Sequence, residues 1–393
     1  MSQIDEQQIA DLDVVAWRRH LHQHPEFGFE EQNTARFVVE KLREFGIDEI
    51  EQGIGGTGIV ATLRAGTGNR SIAFRADMDA LQIQEVGERD HKSQTPGLMH
   101  ACGHDGHTAM LLGAAKHLSE TRDFDGVIRL IFQPAEEWGK GMQAMLDDGL
   151  LERFPFEEAY GLHNMPGLPV GSFATRTGAF MAAEDNFEIT LTGVGGHASR
   201  PHELNDALVA ACATVMGLQT VVSRVIDPSQ LSVLSVTELK TDGTRNAVPG
   251  SAQILGDARS FNPDVSKRIE QGLRRIAEGT SAAHGCDVEI EYTREFVPLI
   301  NDAEMTASAV EAATDMSNDP TCVDGDADRI GGSEDFAILL RQVPGNFMFL
   351  GNGDTAPLHN PEYDFNDDAI PFGIEYYARL ARSRLARAGL DGV

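Results

Sequence analysis

Basic residues are scarce in this chain, 32 Lys and Arg against 61 Asp and Glu, for a net charge of −29. A surface so acidic repels phosphate backbones and anionic lipid, so neither nucleic acid nor membrane is an expected partner. Cysteine is scarce too. Its four residues at 102, 212, 286 and 322 are widely spaced in a long chain without a secretion signal, which argues against a disulfide framework. Cys212 and Cys286, in apolar or turn contexts, read as packing residues. No stretch of about 18 apolar residues is expected, so no membrane-spanning helix is either. The opening Met1-Ser2-Gln3-Ile4-Asp5-Glu6 lacks a basic segment followed by an apolar run, and a cytoplasmic protein is expected. What remains is ordinary for two soluble domains: 393 residues, 41% of them hydrophobic.

Against that background one stretch concentrates chemistry. His100-Ala101-Cys102-Gly103-His104-Asp105-Gly106-His107 holds a thiol, three imidazoles and a carboxylate, with glycines where the backbone must turn tightly. Cys102 and His104 lie two apart, so from a looped segment both can face one ion. Three strand-like runs deliver further donors. Ser71 to Ala76 ends at Asp77-Met78-Asp79, Val127 to Phe132 runs into Gln133-Pro134-Ala135-Glu136-Glu137, and Glu158 to Leu162 ends at His163-Asn164. Ligands gather at such strand ends in open α/β sheets, and Asp77 or Asp79 could orient a ligating histidine. Adjacent glutamates after a strand point opposite ways, leaving one for metal and one for substrate. His359 supplies a last imidazole before a helix from about Asp367.

Other signals are weaker. His20, His22 and His24 close a helix read over residues 5 to 23, a position that reads as a solvated face favoured by the helix dipole. A second helix is expected from Asn33 to Phe45. Gly53-Ile54-Gly55-Gly56-Thr57-Gly58 has the letters of a dinucleotide fingerprint, but the β-like Ile59 to Leu63 follows where a helix is required, so it reads as a turn between strands. Asp324, Asp326 and Asp328 hint at calcium, yet Arg329 stands where an EF-hand loop has glycine and no glutamate follows at the twelfth position. From about 183 to 293 the pattern becomes β-α-β-β-α-β, a ferredoxin-like unit inserted into the chain.

The motifs MHACGHDGH (99–107), QPAEE (133–137), GLHN (161–164), GGHAS (195–199), RNAVPG (245–250), GGSEDF (331–336) and LHNP (358–361) together resemble the M20 metallopeptidases. The closer likeness is to the amidohydrolase branch that contains hippurate hydrolases, N-acyl-amino-acid amidohydrolases and auxin-conjugate hydrolases. The resemblance implies an α/β catalytic domain with a mixed sheet flanked by helices, residues 1–182 and 294–393, carrying a lid and dimerisation domain over 183–293. It implies that Cys102, His104, Glu137, His163 and His359 hold two divalent ions, for which this donor set suits zinc, manganese, cobalt or nickel. Glu136 matches the general base and Asp79 the residue orienting a ligand. His197 and Asn246 match groups that polarise the scissile carbonyl, and Arg259 a residue holding the substrate carboxylate. The expected substrate is a small N-acyl amino acid, cleaved at its amide to a carboxylic acid and a free amino acid, by a homodimer or homotetramer. A dipeptidase or carboxypeptidase of the same family is the alternative. Two departures, the small Ala247 after Asn246 and Trp138-Gly139-Lys140-Gly141 after Glu137, lie where substrate choice could be set.

Overall fold

The computed structural model describes residues 13–316 and 320–386. The first helix, expected from residue 5, is described from α1 (Val14–Gln23) onward, and its earlier part lies outside the described residues. It is followed by α2 (Gln32–Glu44), β1 (Glu49–Ile54), β2 (Gly58–Ala65), β3 (Ser71–Asp77), α3 (His104–Thr121), β4 (Gly126–Gln133), α4 (Gly141–Asp147), α5 (Leu150–Arg153), β5 (Glu158–Pro166), β6 (Phe173–Ala174) and β7 (Gly178–Met181). Then come β8 (Ala183–Thr192), β9 (Gly196–His197), α6 (Ala207–Thr220), β10 (Ser232–Thr241), β11 (Ala247–Val248), β12 (Ser251–Ser260), α7 (Pro263–His284) and β13 (Asp287–Phe296). The chain closes with β14 (Leu299–Asn301), α8 (Ala303–Thr314), β15 (Val323–Asp324), α9 (Phe336–Leu340), β16 (Gly345–Gly353) and α10 (Ile370–Arg384).

The chain divides into two compact units. The larger comprises residues 1–178, 300–328 and 335–393, and the smaller 179–299 and 329–334. These limits differ from 183–293. Residues 329–334 join the smaller unit because the Ala182 N–H donates to Ile330 O (3.1 Å) and Gly332 O (2.9 Å), a long-range pairing that no local periodicity signals.

In the larger unit an α/β fold is built on a mixed eight-stranded sheet in the order β1-β2-β4-β3-β5-β16-β6-β15. Its centre, β4-β3-β5-β16, is parallel, and β3 and β4 are buried along their whole length. That accords with their sequences, which put apolar residues on both faces and are interrupted mid-strand only by Arg75 and Arg129. The glycine run at 53–58 is the turn of an antiparallel β1–β2 hairpin, with Gly55 and Gly56 at φ 64° and 105°. Parallel register puts Asp77 level with Gln133, and β5 runs alongside β3. The carboxyl ends of three strands therefore meet on one edge. Helix α3 starts there and is buried over most of its surface between the sheet, α1 and α10.

The smaller unit has a four-stranded antiparallel sheet, order β10-β12-β8-β13, and its core packs α6 and α7 against that sheet. Burial alternates along β8 and β12, as one covered face requires. Asp206 caps α6 by accepting from the N–H groups of Leu208 and Val209, both at 3.0 Å. The segment Ala207–Val225 is long and apolar enough to cross a membrane by length and composition, contrary to the expectation that no such stretch occurs. Its apolar character has two sources: one side is core, while Leu208, Val209 and Met216 are exposed. Cys212 on the same helix is also exposed, so it is not a packing residue, whereas Cys286 is buried.

A second correction concerns His22. It is fully buried rather than solvated, with Nδ1 2.8 Å from Asp105 and Nε2 3.4 Å from Glu85. Burial lowers its pKa, but Asp105 and Glu85 outweigh burial and the nearby Arg18, and the group is raised from 6.5 to about 9. A raised histidine stabilises the fold fully below its unfolded pKa and loses that contribution as pH rises through the folded one. The chain is therefore expected to lose on the order of 3 kcal/mol between pH ~6.5 and 9 from this pair. His22→Gln should flatten that part of a stability-against-pH curve from chemical denaturation, and an unchanged slope would refute the assignment.

Candidate metal centre and catalytic residues

The turn before α3 is what allows two ligand-type side chains to share a target. Gly103 sits at φ 96° as the residue preceding the helix, a conformation that costs other residues energy. A Cβ there would also collide with the Asn164 side chain and lie 2.6 Å from the Tyr363 hydroxyl. With Gly103 turned, Cys102 and His104 project to the same side. Cys102 Sγ lies 3.4 Å from His163 Nε2, and donor atoms of Cys102, His104 and His163 fall within 4.8 Å of one another. A second triplet on the same criterion is Cys102, Glu137 and His359, with His359 Nε2 3.4 Å from Glu137 Oε1. The two triplets share the thiol.

Glu136 and Glu137 do not continue β4. Ala135 takes a left-handed conformation, φ 47°, and the chain enters a 3₁₀ turn, Glu136–Trp138. The expectation of opposite directions thus gives way to convergence, since each carboxylate has an oxygen 3.9 Å from His104 Nε2. Residues missed in sequence hold this turn. Glu31 accepts from the Ala135 N–H (2.8 Å) and from Thr57 Oγ (2.5 Å), and burial raises its pKa to about 7. His359 is also left-handed, φ 62°, and its N–H donates to Ala101 O at 2.8 Å, tying that imidazole to the cysteine loop.

Backbone carbonyls decide which ring nitrogen faces the cluster. His104 Nδ1 lies 2.9 Å from Asp79 O and 3.1 Å from Asp79 Oδ1. His163 Nδ1 lies 2.7 Å from Asn164 O. Carbonyl oxygens only accept, so both Nδ1 atoms carry hydrogen, and in the neutral rings it is Nε2 that offers a lone pair inward. His104 Nε2 is buried without a hydrogen-bond partner among the described residues. The Asp79 carboxylate also accepts from the Glu137 N–H at 3.1 Å, so it braces two members of the cluster.

The electrostatics suit a cation. Burial, Glu137 and Glu136 push the Cys102 thiol well above its usual pKa. Burial and His107 hold His163 well below the usual imidazole value. His104 is raised to about 10, because Asp77, Asp79 and Glu137 overcome its burial. A buried thiol, neutral imidazole and carboxylates around one orphaned nitrogen form a donor set that fits divalent first-row metals.

The remaining expected residues lie in the smaller unit. His197 and Asn246 are brought together, as β9 pairs with β11 and the Ala198 N–H donates to Asn246 O at 3.1 Å. His197 Nδ1 accepts from the Ser199 N–H at 3.1 Å and lies 2.9 Å from Ser199 Oγ, so its hydrogen sits on Nε2. Arg259 is already paired, 2.8 Å from Glu184 and 3.0 Å from Asp257, and donates to Ser333 Oγ at 2.9 Å.

Residues 73–383 match the pattern described as Peptidase family M20/M25/M40. The chain is 37% identical over 366 residues to a hippurate hydrolase of Campylobacter jejuni, covering 93% of this chain and 94% of that one. It is 35% identical over 369 residues to an N-acetylcysteine deacetylase of Bacillus subtilis, covering 94% and 96%. A Bacillus subtilis crystal structure of a dinuclear metal-binding peptidase from the M20 family superposes with a TM-score of 0.84, at 32% identity, covering 97% of this chain and 99% of that chain.

Proposed function

The chain belongs to peptidase family M20/M25/M40, and from that premise we propose that it is a metal-dependent amidohydrolase. Its reaction is hydrolysis of the amide bond of an N-acyl amino acid to a carboxylic acid and a free amino acid. The observation that carries this reading is the pair of donor triplets sharing Cys102, with Glu136 beside them. Cys102, His104 and His163 would hold one divalent ion, and Cys102, Glu137 and His359 the other. When bound, such ions polarise a carbonyl and acidify water.

The residues divide the remaining work. Glu136, 6% exposed, is the base that takes a proton from the attacking water and returns it to the departing amine. Asp79 fixes the His104 ring. His197 presents Nε2–H, a donor suited to charge developing on the carbonyl oxygen, with Asn246 on the paired strand; donors of this kind contribute about 3 kcal/mol each. Arg259, whose Nε and Nη1 face Asp257 and Glu184, would offer Nη2 to a substrate carboxylate. Trp138, 42% exposed, stands in the same turn as the two glutamates and meets Phe27 edge-on at 5.1 Å, which supports an aromatic acyl group over acetyl.

The smaller unit reads as a ferredoxin-like lid that also dimerises. Its β-α-β-β-α-β order with β10 at a sheet edge, together with exposed Leu208, Val209, Met216, Leu231 and Val233, supports pairing with a second copy. A cytoplasmic setting accords with this substrate class.

Three outcomes are expected. Protein stripped by chelation and restored with zinc, manganese, cobalt or nickel should release amine from N-benzoyl and N-acetyl amino acids, the former faster; cleavage of dipeptides alone would establish the peptidase instead. Glu136→Gln should retain its metal by elemental analysis while turnover falls about 10²- to 10⁴-fold, and near-native turnover would remove it as base. By light scattering the chain should be a dimer and Met216→Asp a monomer; a variant dimer would move the interface elsewhere.

A further inference from the structure

His107, the third imidazole of the 100–107 stretch, is placed in neither donor triplet and has no part in the reaction above. It is 1% exposed, and both of its ring nitrogens are engaged. Nδ1 lies 2.6 Å from Asp77 Oδ1. Nε2 faces the Asn164 side-chain oxygen Oδ1 at 2.7 Å and lies 3.1 Å from the Asn164 backbone nitrogen. Asp77 is in turn anchored by Arg75 at 2.7 Å, and the Asn164 amide continues to the Tyr363 hydroxyl at 2.6 Å. A buried chain of polar groups therefore runs from the end of β3, through α3, to the end of β5 and the segment at 363.

Asn164 is the joint of that chain. Its carbonyl receives the His163 Nδ1–H at 2.7 Å, which turns His163 Nε2 toward Cys102 Sγ. Its side-chain amide presses against Gly103, where a Cβ would collide with it, so it also backs the turn that aims Cys102 and His104. The His107 and His163 rings pack edge to face with centroids 4.4 Å apart. Freed from His107, the Asn164 amide keeps only the Tyr363 contact to fix its plane, and the backing of both the Gly103 turn and the His163 ring is weakened.

A different role for His107 is available on distance alone, because Asp77, His104 and His107 also place donor atoms within 4.8 Å of one another. That triplet makes a poor ion site. Asp77 Oδ1 and both His107 nitrogens are already hydrogen-bonded within the protein, and taking up a cation there would break the Asp77–His107–Asn164 chain.

We propose that His107 is a positioning residue that, through Asn164, sets the geometry of Cys102, His104 and His163 for metal binding. The inference rests on the metal-centre reading and extends it to residues that touch neither metal nor substrate. Orienting partners of this kind typically contribute 10- to 100-fold to metal affinity.

The test uses cobalt(II) added to chelator-stripped full-length protein, read by the visible spectrum and by the near-ultraviolet band from thiolate-to-cobalt charge transfer. His107→Ala is expected to bind cobalt about 10- to 100-fold more weakly, with the thiolate band shifted or weakened. Turnover at saturating cobalt should recover to within a few-fold of wild type, and KM should be unchanged. His107→Gln, which keeps a donor and an acceptor in place of the ring, should restore part of the affinity. If His107→Ala does not fold, Asn164→Ala carries the same expectation. Wild-type cobalt affinity and spectrum in either folded variant would overturn the proposal, as would wild-type protein that binds no cobalt. Wild-type protein that binds cobalt and hydrolyses no acyl amino acid would refute the amidohydrolase reading alone, and the variants would still decide the role of His107.

Discussion

Opposing pressures on a few buried groups are the constraint from which the rest of this structure follows. In one pocket burial resists ionisation of the Cys102 thiol and protonation of His163, while surrounding carboxylates draw a proton toward His104. Those pressures favour a neutral thiol, a neutral His163 and a charged His104, an arrangement in which protons alone do not make electron-pair donors of all three. A cation does, because it favours the thiolate, takes the neutral imidazole's lone pair and offsets the carboxylates. The parallel centre of the sheet exists in a form that serves this. Three strands end on one edge with their last residues at Asp77, Gln133 and the His163 region, and α3 begins where they end.

Charges in the layer beneath are neutralised within the protein. Arg75, 1% exposed, is held by Asp77 at 2.7 Å, by Gln133 at 2.7 Å and by Asp335 at 3.2 Å. Asp335 also accepts from Gln133 at 2.6 Å and from the Met142 N–H at 2.9 Å. A buried ion pair contributes little net stability, but removing one partner typically costs 3–5 kcal/mol. The layer therefore works chiefly as a template: it fixes the relative heights of β3, β4 and α4, and with them Asp77, Asp79 and the Glu136–Glu137 turn. It also accounts for Asp335 of the GGSEDF stretch without giving it a part in the chemistry.

Much of this was legible in the residues, for identifiable reasons. The 100–107 stretch stood out because thiol, imidazole and carboxylate rarely crowd together without a ligand, and strand ends followed by Asp-Met-Asp, Glu-Glu and His-Asn pointed to one sheet edge. The α/β core was legible because β3 and β4 are mostly apolar on both faces, interrupted mid-strand only by Arg75 and Arg129. The supporting residues were not. Nothing in the spacing of His107, Asn164 and Tyr363 links them, since their contacts arise from strand order, which local patterns do not encode. His22 was misread for the same reason: its partner Asp105 is distant in sequence, and a histidine at a helix end resembles a solvated one until the helix packed against it is known. The Glu136–Glu137 turn was misread because Ala135 is left-handed, a conformation that its identity does not advertise.

Histidine is held in two opposite tautomers here, and backbone contacts separate them. At His104 and His163 a carbonyl takes the Nδ1 hydrogen, so in the neutral ring the lone pair is on Nε2, the form a metal requires. At His197 the partner is a backbone N–H, that of Ser199, so Nδ1 must accept and Nε2 must carry the hydrogen, the form a developing oxyanion requires. The imidazole is the same in all three cases. Reversing the polarity of one main-chain contact changes it from electron-pair donor to hydrogen-bond donor. Because main-chain groups are fixed by the turn rather than by a replaceable side chain, the assignment holds wherever the turn does. His104 and His197 stand at turns and His163 within β5 near its carboxyl end, and at each a single main-chain carbonyl or N–H chooses the tautomer.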